Sequence, residues 1–231
     1  NNKAVNLLAG IVERCSDQAL DTYLGEHVFS LLGIERYEWS RDDSGNPHAM
    51  SGLRIGPGDL LKLGILVLNH GNWEGRQILS SEWLEEALSA QGSPTCGFLW
   101  WRIPKSSRFI VDSQSVELFL KETESSDIRA AAEALVGVYE DRDQLRSSVQ
   151  KAFGKKLEQE DFVRDIDRYL VKADVKEVLG FAANGYLGQF LIVVPEHKLV
   201  VVRMISASDD YNSETDSFNE LQQTLRLILT P

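Results

Sequence analysis

The sequence has 231 residues, 43% of them hydrophobic, and 24 Lys and Arg against 35 Asp and Glu, which gives a net charge of −11. A chain of this length can bury a substantial core, as one large domain or two small ones. The acidic balance argues against nucleic acid or an anionic membrane as a main partner, because both need basic patches. The sequence also predicts no membrane span, because no run of about 18 apolar residues occurs.

The numbers and spacing of cysteine and histidine limit which disulfides and metal sites the chain could form. Cys15 and Cys96 are too few for a disulfide framework, and their apolar neighbours predict two buried thiols. The four histidines are scattered and no C-x-x-C or H-x-x-x-H spacing occurs, so no metal and no cofactor is predicted. The chain opens in mid-pattern at Asn1, without an initiator methionine or a signal-type segment, which predicts a piece of something longer.

Helices are predicted through the first third of the chain. A second helix should end at Gly33, since glycine suits the residue after a helix end. A third should begin at Pro57, because proline fits the first helical turn and Asp59 places a carboxylate near the N-terminus. The first helix is predicted from apolar residues at the spacing of one helix face: Leu8, Ile11, Val12 and Cys15.

The middle of the chain changes in composition. Ser80 or Ser81 is predicted to cap a short helix, and the aromatic-rich run 97–103 predicts a strand that Pro104 ends. Between 106 and 176, charges of both signs become dense and three further helical patterns follow. We interpret residues 106–176 as an all-helical insertion with solvated charged faces rather than a binding tail. Residues 1–105 and 177–231 are then two parts of one domain.

The strongest strand pattern lies near the C-terminus. Two runs rich in β-branched residues, 190–194 and 199–205, flank Pro195, which cannot donate to a sheet ladder and so belongs at a turn. We predict a hairpin at the centre of a sheet with both faces covered by helices, because both strands are almost continuously apolar. The preceding strand ends in glycine at 185 and 188, which is typical of a bulge or tight bend or of a strand that lines a substrate.

Four stretches, in their order and spacing, resemble the C-terminal part of the serine β-lactamase-like hydrolases. This superfamily includes class C β-lactamases, penicillin-binding proteins and 6-aminohexanoate-dimer hydrolases. The resemblance implies an α+β fold, a sandwich in which an antiparallel sheet is flanked by helices, incomplete in this chain. The stretches are 1–8 with the helix end at 32–34; 51–54 with Pro57 and 59–60; 73–78 and Trp83 with 97–101; and 185–189 with 195–196 and 199–202.

The resemblance implies an acyl-enzyme mechanism on a small-molecule or peptide substrate. That chemistry needs a serine in Ser-x-x-Lys, whose lysine accepts the serine proton, and a tyrosine in Tyr-x-Asn. If the chain begins within Tyr-Asn-Asn, Asn2 is the motif asparagine, which contacts substrate and the lysine, and the tyrosine precedes Asn1. The serine and lysine then lie upstream. Ser148 and Lys151 fit the letters of Ser-x-x-Lys, but they lie in the insertion and are interpreted as coincidence.

The third motif of the family, Lys-Thr-Gly, is replaced by Ala183, Asn184 and Gly185, as in the nylon-oligomer-hydrolase-like branch. The resemblance implies that these three residues bind substrate and that the backbone N–H of Tyr186 donates to the oxyanion. Loss of the lysine, which binds a β-lactam carboxylate, argues against true β-lactamase activity and favours esters, amides or peptides. The other interpretation of Asn184 is a polar strand residue that bonds to a neighbouring loop.

Two functions follow from these patterns. The first is the C-terminal portion of a serine hydrolase, inactive as the isolated chain. The second is a non-catalytic relative that binds a peptidoglycan-like or protein partner through the same cleft or through the insertion. A Ser-x-x-Lys and a tyrosine upstream of Asn1 would favour the enzyme, and substitution of either would favour the binder. The resemblance leans towards a periplasmic or extracytoplasmic location, whereas oligomeric state has no signal in the sequence.

Overall fold

The structure, a computed structural model, describes residues 2–123, 128–206 and 218–229, without the side chains of residues 2 and 218–220. The chain divides into two compact units, the first formed by residues 1–103 and 179–231 and the second by residues 104–178. Helices and antiparallel strands occur in both units. Within the described ranges, no helix combines the length and the apolar character that crossing a bilayer requires.

The bounds of the elements are as follows. The α-helices are α1 (Asn2–Ser16), α2 (Leu20–Leu24), α3 (Pro57–Leu68), α4 (Ser81–Leu88), α5 (Ser113–Glu122), α6 (Arg129–Glu133), α7 (Arg142–Phe153), α8 (Glu160–Asp165) and α9 (Phe218–Leu229). The strands are β1 (Tyr37–Trp39), β2 (Leu53–Ile55), β3 (Asn72–Trp73), β4 (Arg76–Gln77), β5 (Trp101–Pro104), β6 (Arg108–Val111), β7 (Gly137–Tyr139), β8 (Lys172–Asp174), β9 (Val178–Gly185), β10 (Gln189–Val194) and β11 (Leu199–Arg203). Two π-helical turns, Gly25–Phe29 and Ile166–Leu170, extend α2 and α8.

Three helix boundaries that were predicted from single residues are present in the structure. Gly33 ends the turn that follows α2 with a left-handed φ of 63°, a conformation that glycine adopts without steric cost. Pro57 is the first residue of α3. The hydroxyl oxygen of Ser80 accepts a hydrogen bond from the backbone N–H of Trp83 at 3.0 Å and so caps α4. These three predicted helix ends are confirmed.

The main sheet belongs to the first unit and has the strand order β11-β10-β9-β5. The predicted hairpin is confirmed: β10 pairs antiparallel with β11, with Ile192 opposite Val201, and with β9, with Ile192 opposite Ala182. In the described sheet β11 is an edge strand, so the hairpin is less central than predicted. The strand predicted over 97–103 is shorter than expected, since β5 begins only at Trp101.

Helices cover both faces of this sheet, as predicted. Alternate residues of a strand point to opposite faces, and the face of β10 that carries Ile192 packs in a core with Leu225 of α9. The other face carries Leu191 and lies against α3 near Gly64. A separate core of the first unit joins the turns after α2 to α3 and consists of Phe29, Leu32, Ile34 and Leu66.

The second unit has its own core and a three-stranded antiparallel sheet in the order β7-β6-β8. The prediction of an all-helical insertion is therefore wrong. These strands have three or four residues each, and alternation over so few residues cannot distinguish a strand from a helix. The core lies between this sheet and the helices and contains the mutually contacting rings of Phe119, Phe153 and Phe162.

Helix α5 was not predicted from the sequence, although its start carries a clear signal. The Asp112 carboxylate accepts a hydrogen bond from the backbone N–H of Ser115 at 2.8 Å, and Ser115 Oγ accepts one from the Asp112 N–H at 3.1 Å. This reciprocal arrangement is a capping box. Lys172 of β8 also donates to the Asp112 carboxylate, at 2.8 Å, so the cap joins α5 to the sheet.

The expectation of two buried thiols is wrong. Cys15 is exposed and Cys96 is half-buried. Cys15 lies near the end of α1, on a helix whose apolar residues Leu7 and Ile11 are 68% and 56% exposed. The predicted helix is confirmed, but Leu8 and Ile11 of its predicted apolar face are exposed in the described part of the chain.

Candidate functional site

The predicted substrate-binding residues lie at the tip of the β9–β10 hairpin. Gly185 pairs with Gln189, so residues 186–188 form the turn between the strands. Leu187 has a φ of 59° and Gly188 a φ of 76°, both in the left-handed region. Consecutive positive φ values are typical of tight hairpin turns, whose twist matches that of the strands. Glycine adopts this conformation freely, whereas for leucine it costs roughly 1–2 kcal/mol.

The hairpin brings the four predicted residues at 183–186 together at one end of the sheet. Ala183 is half-buried, and Asn184 and Gly185 are exposed. The side chain of Tyr186 is 86% exposed, so its ring contributes little packing to the turn. The tight bend foreseen in the sequence is present, and the roles of these residues towards a substrate stay predictions.

Gly185 has a packing reason to be glycine. A Cβ atom built on Gly185 would lie 2.8 Å from the Cβ of Gln189 and 3.4 Å from its Cγ. Separations below about 3 Å between such carbons are repulsive, because carbon contacts are optimal near 3.5–4.0 Å. A side chain at Gly185 would therefore displace Gln189, the first residue of β10.

Two side chains next to the turn were missed by sequence reasoning. Gln189 donates from Nε2 to the backbone oxygen of Ile205 at 2.7 Å, and its Oε1 accepts from the Ile205 N–H at 3.0 Å. Arg203 donates from Nη1 to the backbone oxygen of Gly188 at 3.2 Å. Arg203 has a signal in the sequence, since it is the charged residue within the apolar run 199–205, whereas the bonds of Gln189 to Ile205 have none.

Asn2 is the first described residue of α1, but its side chain lies outside the described part of the structure. The role predicted for Asn2 thus stays a prediction. Helix α1 is tied to the rest of the first unit through Asn6, whose Oδ1 accepts a hydrogen bond from the backbone N–H of Met50 at 3.0 Å. The Nδ2 of Asn6 also lies 3.4 Å from Nδ1 of His48.

Ser148 lies inside α7, in the second unit, rather than at the start of a helix. It is half-buried, and Lys151 is exposed. Backbone N–H groups in the interior of a helix are already bonded to carbonyl groups one turn earlier. Ser148 therefore has no nearby free N–H groups of the kind that a helix start supplies to an oxyanion.

Asp42 and Arg226 of the first unit have shifted pKa values. The pKa of the Asp42 carboxyl is held below its usual value, chiefly because the backbone N–H of Asn46 donates to it, and the Asn46 side chain adds to this. Burial lowers the pKa of the Arg226 guanidinium on α9. In the part of the chain that the structure describes, no group of three or more His, Cys, Asp or Glu is arranged to hold a metal ion.

The first unit has two surface hollows whose lining residues differ from the predicted site residues. One, of about 640 Å³, is lined by residues 35–38 and 54–56. The other, of about 280 Å³, lies between the ends of α3 and α4 and the sheet, and Arg102 and Phe181 are among its lining residues. Neither lining includes any of residues 183–189.

Comparison with known proteins gives a consistent picture. The family model described as Beta-lactamase matches residues 1–223. Among solved structures, the chain is similar to one described as a putative 6-aminohexanoate-dimer hydrolase from Bacillus anthracis, at 18% identity and a TM-score of 0.54, over 98% of this chain and 44% of that one. It is also similar to one described as a putative beta-lactamase from Bacteroides dorei DSM 17855, at 13% identity and a TM-score of 0.47, over 94% of this chain and 54% of that one. A comparison with curated proteins gave no match.

The likeness to the Bacillus anthracis structure confirms the predicted α+β fold of β-lactamase type. At 18% identity it concerns the fold alone. The chain spans 44% and 54% of the lengths of the two solved structures.

Proposed function

This chain belongs to the β-lactamase family, and we propose that it is the C-terminal portion of a serine hydrolase that acts through an acyl-enzyme. The family match over residues 1–223 supports hydrolase chemistry in general. The proposal adds that the serine, its lysine and a tyrosine are supplied by sequence upstream of Asn1. The present chain contributes the oxyanion donor and the strand that aligns the substrate.

The observation that carries the proposal is the tip of the β9–β10 hairpin. It presents the backbone of residues 184–186 at one end of the sheet, where all three residues are exposed. An N–H group whose orientation is fixed by the fold can stabilise developing negative charge without reorganisation. Tyr186 N–H is the proposed donor, and residues 183–185 are proposed to run beside the acyl group.

The proposed reaction has two steps. The serine Oγ attacks the carbonyl carbon while the lysine amine accepts its proton, and the oxyanion that forms is stabilised by Tyr186 N–H. The leaving alcohol or amine takes a proton as it departs, which leaves an acyl ester on the serine. Water then attacks that ester and releases the acid. Asn2 is proposed to contact the substrate and the lysine.

The proposed substrates are esters, amides or peptides rather than β-lactams. Residues 183–185 read Ala-Asn-Gly and contain no cation, so the carboxylate of a β-lactam would have no partner at this position. An uncharged acyl group therefore fits the tip better than a carboxylate.

A matched pair of variants at one position tests the proposal in the chain extended upstream. Tyr186→Pro removes the backbone N–H, while Tyr186→Ala keeps it and removes only the exposed ring. The extended ψ of Gly185, 167°, is compatible with a following proline. With a p-nitrophenyl ester, Tyr186→Pro is expected to lower kcat by about 10²–10³-fold, the effect of losing one oxyanion donor. Tyr186→Ala should retain most of the activity.

The alternative function is a non-catalytic relative that binds a peptidoglycan-like or protein partner. It predicts a substituted Ser-x-x-Lys or tyrosine upstream. It also predicts that the extended chain forms no acyl adduct with an ester, measured by intact mass. An adduct that disappears when the upstream serine is replaced by alanine would exclude this alternative.

A further inference from the structure

We propose that Gln189 and Arg203 are positioning residues that hold the hairpin turn so that the Tyr186 N–H faces the substrate. The proposal rests on the function proposed above for Tyr186. It concerns side chains that contact the backbone of the turn and its surroundings rather than substrate.

Gln189 makes a two-point connection between the turn and the segment after β11. Its amide bonds both the oxygen and the N–H of Ile205, at 2.7 and 3.0 Å. Ile205 is two residues beyond the end of β11, where the regular ladder has ended. The side-chain amide therefore extends the hydrogen bonding between β10 and β11 by one more connection, next to the turn.

Arg203 provides the second connection. Its Nη1 donates to the oxygen of Gly188 at 3.2 Å, and its guanidinium carbon lies 5.6 Å from the ring centroid of Phe190. Phe190 is buried in the core beneath α9. A guanidinium over an aromatic face is attracted to the ring, so the donor to Gly188 is itself held by a fixed side chain.

The turn needs such connections because its own conformation is unfavourable. Leu187 is in the left-handed region, and the adjacent ring of Tyr186 is exposed. Residues in sparsely populated backbone regions persist only where their surroundings hold them, and they cluster at functional sites. Without Gln189 and Arg203, the turn is expected to relax, and the direction of the Tyr186 N–H changes with it.

The first test uses the 231-residue chain and needs no catalysis. Gln189→Leu keeps the approximate size of the side chain and removes both bonds to Ile205. We expect altered amide resonances at residues 186–188 and hydrogen exchange there faster by on the order of tenfold. The matched control is Gln77→Leu, since Gln77 also donates to two backbone oxygens, of His70 and Leu79, in another hairpin. The control should leave residues 186–188 unchanged.

A Gln189→Leu variant with wild-type amide resonances and exchange at 186–188 would overturn the proposal. If this variant fails to fold, Gln189→Glu takes its place, because it keeps the acceptor for Ile205 N–H and loses the donor. Arg203→Lys provides an independent arm, since a lysine keeps the charge but lacks the planar fork that reaches Gly188 while lying over Phe190. Unchanged amide resonances at residues 186–188 in both Gln189→Glu and Arg203→Lys would also overturn the proposal.

The second test uses the chain extended upstream. Displacement of a catalytic donor by about 1 Å can cost on the order of 10²-fold in rate. Gln189→Leu should therefore lower kcat with little change in KM, whereas a merely structural role would lower the folded fraction at constant specific activity. Suppose that Gln189→Leu alters the amide resonances at 186–188 but the wild-type extended chain hydrolyses no ester. That result would refute the proposed function and would still support a role of Gln189 in holding the turn. Altered amides with unchanged kcat would refute the positioning role alone.

Discussion

Gly64 of α3 lies so close to Leu191 of β10 that a Cβ atom at Gly64 would stand 2.7 Å from the Leu191 Cδ1. Val200 of β11 meets the same point from the neighbouring strand. The backbone of α3 therefore lies directly against the sheet at this point. This short distance between helix and sheet is possible because Gly64 has no side chain.

The first prediction concerns this contact. Gly64→Ala should destabilise the chain by about 1–3 kcal/mol, because a methyl group overpacks the helix–sheet interface. This loss should appear even though alanine favours a helix over glycine by roughly 1 kcal/mol. The free energy of unfolding from urea titration measures the net effect.

Gly10 in α1 is the matched control, since a Cβ atom there would have no neighbour within 4 Å. Gly10→Ala should stabilise the chain by about 0.4–1 kcal/mol. Equal effects of the two substitutions would show that α3 can shift away from the sheet at no cost.

The second prediction concerns Gly185. In the chain extended upstream, Gly185→Val should lower kcat/KM. The expected loss of transition-state stabilisation is about 2.7–4 kcal/mol, the range for loss of an oxyanion donor. The sequence alone predicts little change in melting temperature if the role is functional. The 2.8 Å approach to Gln189 adds an expected loss of stability.

Activity and melting temperature of one purified Gly185→Val preparation separate the two roles. A purely structural glycine would leave the specific activity of the folded fraction intact. Normal activity at normal stability would remove Gly185 and Tyr186 from the site altogether.

The third prediction is a pH dependence of the second unit. The side chain of Lys172, followed by the backbone N–H of Ser115, lowers the pKa of Asp112 below its usual 3.8. A carboxyl with a lowered folded-state pKa stabilises the fold above its unfolded-state pKa, and this stabilisation is lost as the pH falls through the lowered value. The protection of the α5 amides, that is, their exchange relative to the intrinsic rate at the same pH, should therefore decrease below about pH 4.

Lys172→Met should reduce that pH dependence, because the largest cause of the lowered pKa is removed. The difference in α5 protection between pH 7 and pH 3 should shrink, mainly through weaker protection at pH 7. An unchanged difference would show that the Lys172–Asp112 contact is not maintained in solution.

The fourth prediction is that the isolated 231-residue chain has no acyl-transfer activity. Ser148 lies within α7 and lacks the free backbone N–H groups of a helix start. A fluorescent serine-reactive probe or nitrocefin should therefore detect no turnover. Labelling that is lost in Ser148→Ala would make Ser148 catalytic and overturn the assignment.

The fifth prediction concerns residues 106–176. The two ends of this segment are adjacent, since Lys105 N–H donates to the Glu177 oxygen at 3.0 Å and their side chains pair at 3.3 Å. The core of the second unit is formed by its own residues. Replacing residues 106–176 by a short linker should leave the rest soluble and folded in the extended protein, as measured by its tryptophan spectrum and melting. Wholesale unfolding would show that the segment belongs to the main core.

The sequence by itself determined the features that depend on neighbouring residues. Pro57 and Ser80 mark helix starts through the φ of one residue and one side-chain bond, and Gly33 marks a helix end in the same way. The hairpin around Pro195 follows from two apolar runs and a residue that cannot donate. The glycines at 185 and 188 indicate the separate bend between β9 and β10 that places 183–186 at one end of the sheet.

Only the tertiary structure decided which distant groups meet. Gln189 and Ile205 are 16 residues apart, and nothing in the order of residues says that an amide after a glycine will bond a backbone beyond the next strand. The sheet of the second unit joins Arg108 to Asp174 across 66 residues, so strands that are too short to show a pattern are stabilised by their partners. Local propensities are set by each residue and its neighbours, whereas sheet pairing and burial depend on which surfaces the whole chain brings together.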